Sequence, residues 1–327
     1  EKNEELFRTV NNISINTKTQ GKIISIKDGY LSHIEHTLKL SMINLLSIKN
    51  KQFTVVIDAV NGAASEALPK MLKALGCKVY SLHCNPNGVF PRGCEPLPHN
   101  LNDLKKVVID KKADVGFATD PDGDRLAIID EKGTPLGEEY TLVFCIDGFL
   151  KSTQTNKDIV TNLSTTLAVD RIAEKYGNKV IRTAVGEINV VNKMKEINSK
   201  LGGEGNGGVI LTESHLGRDS LIGVTLFLNR MAQTNQSVSQ VFQSMPQYII
   251  LKDKIELSSI NADYILNKIE KNFIDASIDK QDGIKLSWDN AWIHIRKSNT
   301  EPIIRIYAEA STKKNALELI DNIKSIL

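Results

Sequence analysis

Short apolar runs of strand length alternate with helix-length segments through most of this chain, and this alternation limits the possible folds more than any other feature. Residues 53–58 form an apolar run that leads into an Asn-Gly turn, and the helical pattern that follows is stopped by Gly76. Residues 78–82 have the pattern of the next strand. Strands separated by helices build sheets that are covered by those helices. The sequence therefore predicts an α/β protein.

The alternation divides into two consecutive parts and then changes. Residues 30–136 and residues 137–250 each contain strands and helices in turn, which predicts two α/β domains. Residues 251–327 carry short strands with a helix between them and a closing amphipathic helix, which predicts a small α+β domain. Residues 1–29 are charged and polar and cannot close a core. We interpret them as the tail of a preceding domain and a linker.

Composition argues against several classes of partner. The 41 basic and 39 acidic residues leave a formal net charge of +2, which gives no electrostatic reason to expect nucleic acid or an anionic membrane. No apolar run approaches the roughly 18 residues that span a bilayer. Cys77, Cys84, Cys94 and Cys145 follow neither C-x-x-C nor zinc-ligand spacing, so we expect reduced thiols. The prediction is a soluble cytoplasmic protein that binds neither nucleic acid nor membrane.

Three aspartates at alternate positions, Asp120, Asp122 and Asp124, stand in a tight turn between two apolar runs. Carboxylates this close repel one another unless a cation lies among them, and hard oxygen ligands suit Mg²⁺ or Ca²⁺ better than zinc. An EF-hand loop does not fit, because its sixth position requires glycine and here is Arg125. Haloacid-dehalogenase-like phosphatases place Thr or Val where this chain has Asp124. We therefore predict a metal site in this segment, residues 119–125, which we call the carboxylate turn.

A glycine-rich segment over residues 202–208 precedes the predicted strand at residues 209–212. It contains a single carboxylate, Glu204, and a single amide, Asn206. Glycines let the backbone approach a ligand, and these two side chains are suitable partners for sugar hydroxyl groups. The alternative interpretation is a flexible connector.

A third polar segment, residues 296–305, lies between two predicted strands. It combines hydroxyl groups, an amide and backbone N–H groups with flanking arginines at Arg296 and Arg305, which suits a phosphate dianion. The alternative is an ordinary polar hairpin. The six histidines are scattered, and none has a serine or cysteine partner that indicates a catalytic triad.

In this order and on successive domains, the three segments resemble the α-D-phosphohexomutase family. The carboxylate turn resembles the metal-binding loop of that family, residues 204–208 its sugar-binding loop, and residues 296–305 its phosphate-binding loop. Residues 183–186 resemble another segment that lines the family's cleft. The resemblance covers essentially the whole chain, as domains two, three and four of the family's four.

The resemblance implies reversible transfer of a phosphoryl group between the 1- and 6-positions of a hexose phosphate, through a phosphoserine and a hexose 1,6-bisphosphate. It implies Mg²⁺ bound by the three aspartates of the carboxylate turn, with Arg125 beside the transferring phosphoryl group. The implied sugar-binding residues are Glu204, Asn206, Thr183 and Gly186. The implied phosphate-binding residues are Arg296, Ser298, Asn299, Thr300 and Arg305.

Two departures from the family matter. Its nucleophilic serine lies in a T-A-S-H-N-P-like loop of the first domain, and this sequence contains no such stretch, so we expect the chain alone to lack mutase turnover. The glycine-rich segment ends in Gly208 where many members carry Ser-Gly-His, which leaves the general acid/base unassigned. Two alternatives stay open: a metal-dependent phosphatase with Asp120 as nucleophile, and a non-catalytic sugar-phosphate-binding protein. The preferred hexose, whether glucosamine, mannose or glucose, is undecided.

Overall fold

Three separate β-sheets follow one another along the chain, two of them mixed and the third antiparallel. The computed structural model describes residues 22, 24–26, 28–256, 268–270, 272–273, 275–298 and 303–326. Within these residues, the predicted fold class of two α/β domains followed by a small α+β domain is confirmed. No described helix combines the length and apolar character that crossing a bilayer requires.

The first α/β domain contains, in chain order, α1 (Tyr30–Leu38), α2 (Leu45–Lys51), β1 (Thr54–Asp58), α3 (Ala64–Ala74), β2 (Lys78–Leu82), α4 (Asn102–Lys111), β3 (Val115–Thr119) and β4 (Leu126–Asp130). Its strand order is β2-β1-β3-β4, with β3 and β4 antiparallel. Both of these strands are buried along their whole length, because apolar clusters cover the sheet on both faces. This explains the unbroken apolar runs on either side of the carboxylate turn, which connects β3 to β4.

The second α/β domain contains α5 (Glu139–Thr153), β5 (Ile159–Asn162), α6 (Ala168–Lys175), β6 (Val180–Thr183), α7 (Glu187–Ile197), β7 (Leu201–Glu204), β8 (Gly208–Leu211), α8 (Ser220–Ala232) and α9 (Val238–Gln243). Its strand order is β6-β5-β7-β8, with β7 and β8 antiparallel. The two domains therefore share one topology, and each ends its sheet in a hairpin. The carboxylate turn and the glycine-rich segment occupy equivalent positions in these two hairpins.

The glycine-rich segment is a hairpin turn and not a flexible connector. We expected residues 202–208 to lie before the strand, but β7 runs through Gly202 to Glu204, and β8 begins at Gly208. A Cβ atom on Gly202 would lie 2.6 Å from the sulfur of Met194 and 2.7 Å from the carbonyl oxygen of Val160. Close packing therefore requires glycine at position 202, inside β7. The glycines of this segment are needed for packing as well as for the turn.

One hydrophobic core joins the two α/β domains. The ring of Phe227 on α8 lies 5.4 Å from the ring of Phe117 on β3 and 4.9 Å from that of Phe144 on α5, measured between centroids. All three side chains belong to a single buried cluster. Because this shared core fixes the two domains against each other, the two hairpin turns are held side by side.

The C-terminal domain is built from β9 (Ile249–Glu256), β10 (Ser277–Asp279), β11 (Ile284–Trp288), β12 (Ala291–Lys297), β13 (Ile303–Ala310) and α10 (Lys313–Ile326). Its sheet is antiparallel with the order β10-β11-β12-β13-β9. One face of the sheet packs against α10 in a core of its own, through residues such as Ile295, Ile306 and Ile320. Its first strand, β9, begins at Ile249, two residues before the predicted start of this domain at residue 251. The exact domain boundaries given above stay a prediction.

Candidate functional site

A central cleft with a volume of about 860 Å³ is lined by residues of all three domains. Six of the residues singled out from the sequence line this cleft. They are Arg125, Gly186, Glu204, Asn206, Arg296 and Arg305. The fold thus brings to one place segments that are far apart in the chain.

The other residues singled out from the sequence are placed differently. Thr183 is buried, its hydroxyl donates to the carbonyl oxygen of Ala184 at 2.9 Å, and it does not line the cleft. Ser298 follows β12, where its backbone N–H continues the pairing with β13. Asn299 and Thr300 lie outside the described residues, so their role in binding phosphate stays a prediction.

The three aspartates of the carboxylate turn converge, with one carboxylate oxygen from each lying within 4.8 Å of the others. Burial, and then the negative charge of Asp124, raise the pKa of Asp120 to about 7. Oδ1 of Asp124 is buried and accepts no hydrogen bond from the described residues. A bound divalent cation would satisfy this oxygen and remove the repulsion, so the donor set of Asp120, Asp122 and Asp124 fits Mg²⁺.

The backbone of the carboxylate turn is held by the loop that follows β1. The N–H of Ala63 donates to the carbonyl oxygen of Pro121 at 2.7 Å. A Cβ atom on Gly62 would lie only 2.3 Å from the same oxygen, so glycine is required for this approach. Gly123 completes the turn with a φ of +78°, which glycine adopts without strain.

Arg125 ends the carboxylate turn and lines the cleft. Its backbone N–H donates to Oδ1 of Asp120 at 3.0 Å, and its Nη1 donates to Oε1 of Glu95 at 2.8 Å. Burial alone would lower the pKa of Arg125, but the carboxylates of Glu95 and Asp120 raise it above its ordinary value. The guanidinium is therefore a positioned, permanently charged group beside the aspartates, which suits contact with a phosphoryl group.

Glu204 is buried at the end of β7, and protein donors already hold both of its carboxylate oxygens. Oε1 accepts hydrogen bonds from Nδ2 of Asn162 at 2.8 Å and from the N–H of Gly186 at 3.2 Å. Oε2 accepts from Nη1 of Arg218 at 2.9 Å. A carboxylate has about four acceptor positions, so one more remains for a ligand hydroxyl group. Glu204 therefore enters the cleft as an acceptor of fixed orientation.

Arg218, in the loop before α8, is a site residue that sequence reasoning missed. Its guanidinium donates to Asp124 of the carboxylate turn, to Oε2 of Glu187 at 2.9 Å and to Oε2 of Glu204 at 2.9 Å. Arg218 also lines the cleft. One cation thus joins the carboxylate turn, the start of α7 and the glycine-rich turn. No local pattern in the sequence connects position 218 with position 124.

The two hairpin turns also meet through their backbones. The N–H of Leu126 donates to the carbonyl oxygen of Gly207 at 3.0 Å, and Arg125 forms an antiparallel bridge with Gly208. A Cβ atom on Gly207 would lie 2.4 Å from the carbonyl oxygen of Leu126. The carboxylate turn and the glycine-rich turn therefore form one packed unit, and a shift of one turn would move the other.

The C-terminal sheet presents a row of three cations to the cleft. Arg296 on β12 is the cross-strand partner of Arg305 on β13, and Arg305 is the partner of Lys254 on β9. All three line the cleft, and we call them the cationic row. Asp282 is close to Arg296, with 3.9 Å between Oδ2 and Nη1. Three positive charges on neighbouring strands suit the binding of a phosphate dianion.

A serine and a histidine also meet at the edge of the cleft. The Ser164 hydroxyl lies 2.8 Å from Nδ1 of His294, and Nε2 of His294 lies 2.6 Å from the carbonyl oxygen of Asp282. Since a carbonyl only accepts, Nε2 carries the proton and Nδ1 accepts from Ser164. No local pattern in the sequence indicates this contact, because the two residues come from different domains. Among the residues that the structure describes, no carboxylate hydrogen-bonds to the ring, so this pair is not a triad.

Comparison with known proteins gives one consistent family. Residues 28–133 match the model of phosphoglucomutase/phosphomannomutase alpha/beta/alpha domain II, residues 137–248 that of domain III, and residues 259–326 that of the C-terminal domain. A phosphoglucomutase/phosphomannomutase from Thermococcus kodakarensis is 35% identical over 284 residues, which are 85% of this chain and 61% of that protein. A phosphoglucosamine/phosphogalactosamine mutase from Sulfurisphaera tokodaii is 31% identical over 331 residues, covering 99% of this chain and 71% of that protein.

A solved structure shows the same fold. The crystal structure of a phosphoglucomutase/phosphomannomutase family protein from Burkholderia thailandensis superposes with a TM-score of 0.82 at 21% identity. The superposition covers 99% of this chain and 69% of that one. The chain thus spans 61% and 71% of the length of these two relatives, and 69% of the length of this solved structure. With three successive domain models and relatives above 30% identity, this chain belongs to the phosphoglucomutase/phosphomannomutase family.

Proposed function

We propose that this chain forms the metal-binding and substrate-binding part of a phosphohexomutase, an isomerase that moves a phosphoryl group between the 1- and 6-positions of a hexose phosphate. One observation carries the proposal: a single cleft is lined by Arg125 beside the carboxylate turn, by Glu204 and Asn206, and by the cationic row. The names of the relatives support the same class of reaction. We keep the cytoplasmic location as a prediction.

The chemistry of the cleft suits a sugar with a phosphate at each end. Its volume of about 860 Å³ lies within the range of small-molecule sites. The cationic row would hold the phosphate that is not reacting, and Arg125 would contact the phosphoryl group in transfer. Glu204 and Asn206 would bind hydroxyl groups between the two ends. A hexose 1,6-bisphosphate that turns around in this cleft would present either phosphate to Arg125.

The residues of the carboxylate turn have a defined task in this proposal. Mg²⁺ held by Asp120, Asp122 and Asp124 would neutralise charge on the phosphoryl group as it is transferred. Arg218 holds Asp124 in place, and Arg125 supplies a second fixed positive charge. We propose that the phosphoserine donor belongs to a segment outside residues 1–327 and that these residues alone do not turn over.

Calorimetry on residues 1–327 tests the binding part of the proposal. Titration with glucosamine 6-phosphate, mannose 6-phosphate and glucose 1,6-bisphosphate, with and without Mg²⁺, should show binding without release of inorganic phosphate. Asp120→Asn should remove the Mg²⁺ dependence. The control variant Asp114→Asn should leave the Mg²⁺ dependence unchanged. The Asp114 carboxylate lies far from the carboxylate turn and accepts a hydrogen bond from the N–H of Thr54 at 2.7 Å. Phosphate release that Asp120→Asn abolishes would instead support the phosphatase and contradict the mutase.

A second experiment tests the reaction itself. Joined to the first domain of the Sulfurisphaera tokodaii relative, the chain should interconvert a hexose 6-phosphate and the corresponding 1-phosphate, and should lose this activity when the serine of that domain is replaced by alanine. The coding sequence upstream of Glu1 is a further check. A Ser-His-Asn-Pro loop there supports the mutase, whereas a reading frame that starts near Glu1 favours a non-catalytic binding protein.

A further inference from the structure

A second cluster of potential metal ligands lies outside the carboxylate turn and takes no part in the proposed reaction. It consists of His33 on α1, His215 in the loop after β8 and Asp219 at the start of α8. Nε2 of His33 is 2.6 Å from Oδ2 of Asp219, and Nε2 of His215 is 3.0 Å from the same oxygen. The three candidate ligand atoms all lie within 4.8 Å of one another.

Asp219 is held so that one oxygen is left for the two imidazoles. Its Oδ1 caps α8, accepting from the N–H groups of Leu221 at 2.8 Å and Ile222 at 3.3 Å. Its own N–H donates to the carbonyl oxygen of Val209 at 2.9 Å. Arg218, the adjacent cation, is committed to other carboxylates. Backbone groups that orient a carboxylate in this way also support metal ligands in known sites.

The geometry is close to that of a zinc-type site. Two imidazole N–H groups share one carboxylate oxygen, so two protons occupy the space where a single cation would be bound by both nitrogens. With bonds of 2.0–2.1 Å, tetrahedral ligands are about 3.3 Å apart. The two nitrogen–oxygen distances of 2.6 Å and 3.0 Å are shorter than this value by about 0.7 Å and 0.3 Å, so both would widen slightly around a bound ion. The ligand nitrogens of His33 and His215 are at most 4.8 Å apart, so they would have to approach each other by about 1.5 Å at most. The side chain of His215 is 48% exposed and can therefore move.

There is also space for a fourth ligand. A small cavity of about 240 Å³ is lined by all three residues of the cluster and by the small side chains of Ala63 and Ala64. Asp122 and Asp124 of the carboxylate turn line the same cavity. A water molecule fits there, so a three-residue site would leave an open coordination position. Two imidazoles and one carboxylate are ligands preferred by zinc-class ions, whereas Mg²⁺ prefers oxygen ligands alone.

We propose that His33, His215 and Asp219 bind a divalent transition-metal ion of the zinc class, with ligands different from those of the Mg²⁺ site in the adjoining carboxylate turn. The ion clips α1 to the start of α8, joining residues that are 186 positions apart. Its role is structural, because the ligands hold together the segments that pack behind the carboxylate turn. The proposal does not depend on the proposed mutase activity.

Titration of residues 1–327 with Co²⁺ in saturating Mg²⁺ tests the site, since the visible absorption of Co²⁺ reports its ligands and coordination number. We expect one equivalent of Co²⁺ to bind with the intense bands of a four- or five-coordinate ion, and Zn²⁺ to displace it. His33→Gln and His215→Gln keep a hydrogen-bond donor for Asp219 but remove the imidazole. Each should weaken binding by more than the roughly 10- to 100-fold loss typical of residues that only support a ligand.

Two matched variants locate the bound ion. His36→Gln changes another histidine of α1, whose Nε2 contacts the carbonyl oxygen of Glu213 at 2.9 Å, and should leave Co²⁺ binding intact. Asp120→Asn should leave it intact as well. Binding that survives both His33→Gln and His215→Gln, or that Asp120→Asn abolishes, would overturn the proposal. Zn²⁺ should also raise the melting temperature of the unchanged chain and not that of His33→Gln, and an equal rise in both would overturn it too.

Discussion

Arg218 and Asp124 are 94 residues apart in the chain, and their side chains form an ion pair beside the central cleft. The same guanidinium lies 2.9 Å from Glu204, so it links the carboxylate turn of the first domain to the glycine-rich turn of the second. A carboxylate that would bind metal and a carboxylate that would bind sugar thus share one cation. Charge balance in the cleft therefore depends on Arg218 before any ligand enters.

Replacing Arg218 with methionine tests this link. Arg218→Met keeps much of the side-chain volume but removes the cation that Asp124 and the buried Glu204 share. We expect the free energy of unfolding to fall by about 3 kcal/mol, the lower end for a broken buried ion pair. Added Mg²⁺ should recover part of the loss, because it neutralises Asp124 but not Glu204. Urea denaturation with and without Mg²⁺ measures both effects.

Lys193 provides the control. Its Nζ lies 2.7 Å from Glu196 on the same helix, and the side chain of Glu196 is 64% exposed. Exposed pairs of this kind contribute little, so Lys193→Met should cost less than about 1 kcal/mol. Equal losses in the two variants would mean that Arg218 acts no differently from a cation on the protein surface.

Because the two turns are in contact at Gly207, we expect replacement of this glycine to destabilise the fold more than an ordinary glycine substitution does. Gly207 has a φ of +90°, and an added Cβ would lie 2.4 Å from the backbone carbonyl oxygen of Leu126. Gly207→Ala should destabilise the fold by about 3 kcal/mol or more, because strain from φ adds to a clash with backbone. Gly177 has a similar φ of +78° with nothing within 4 Å, so Gly177→Ala should cost only about 1–2 kcal/mol. Thermal denaturation of both variants decides whether the contact or the φ angle matters more.

Lys254 is predicted to bind phosphate with the two arginines of the cationic row. Lys254→Met removes one charged donor, so affinity for a hexose phosphate should fall about 10- to 100-fold. Lys314→Met, at an 84% exposed position on α10, changes the net charge equally and should leave affinity unchanged at the same ionic strength. Isothermal titration calorimetry compares the two. Equal losses in both variants would indicate a general charge effect and not a contact.

Because the side chain of His294 is buried, we expect the folded protein to lose stability in mild acid. Burial lowers the pKa of His294 to about 4, and Lys285 and Arg296 add to the shift while Asp282 opposes it. In the unfolded chain a histidine titrates near 6.5, so protonation favours unfolding. The stability due to the neutral ring is fully present above pH 6.5 and is lost as the pH falls towards 4, by up to about 3 kcal/mol.

The variant His294→Gln isolates this effect from the titration of carboxylates. It keeps an acceptor for Ser164 and a donor for the carbonyl oxygen of Asp282, but it does not titrate. We expect lower stability than the unchanged chain at pH 7 and a shallower decline between pH 6.5 and 4 in urea denaturation. Parallel declines in the two proteins would contradict the prediction.

Local patterns in the sequence were sufficient for the fold class and for the carboxylate turn. Apolar runs of strand and helix length alternate because each element must bury its own apolar side chains, and this requirement acts over a few residues at a time. Asp120, Asp122 and Asp124 are brought together by one turn between β3 and β4. Such features depend on neighbours in the chain, so the sequence predicts them directly.

The rest of the cleft was decided by tertiary structure. Arg218 meets Asp124 because a shared core packs the two hairpins side by side, and Lys254 joins Arg305 because of the register between β9 and β13. Ser164 reaches His294 only where two domains touch. In each case the partners are far apart in the chain, and no local periodicity records which charge will oppose which. The sequence alone thus determined the elements and the carboxylate turn, whereas long-range packing and strand register decided the charge pairs that complete the site.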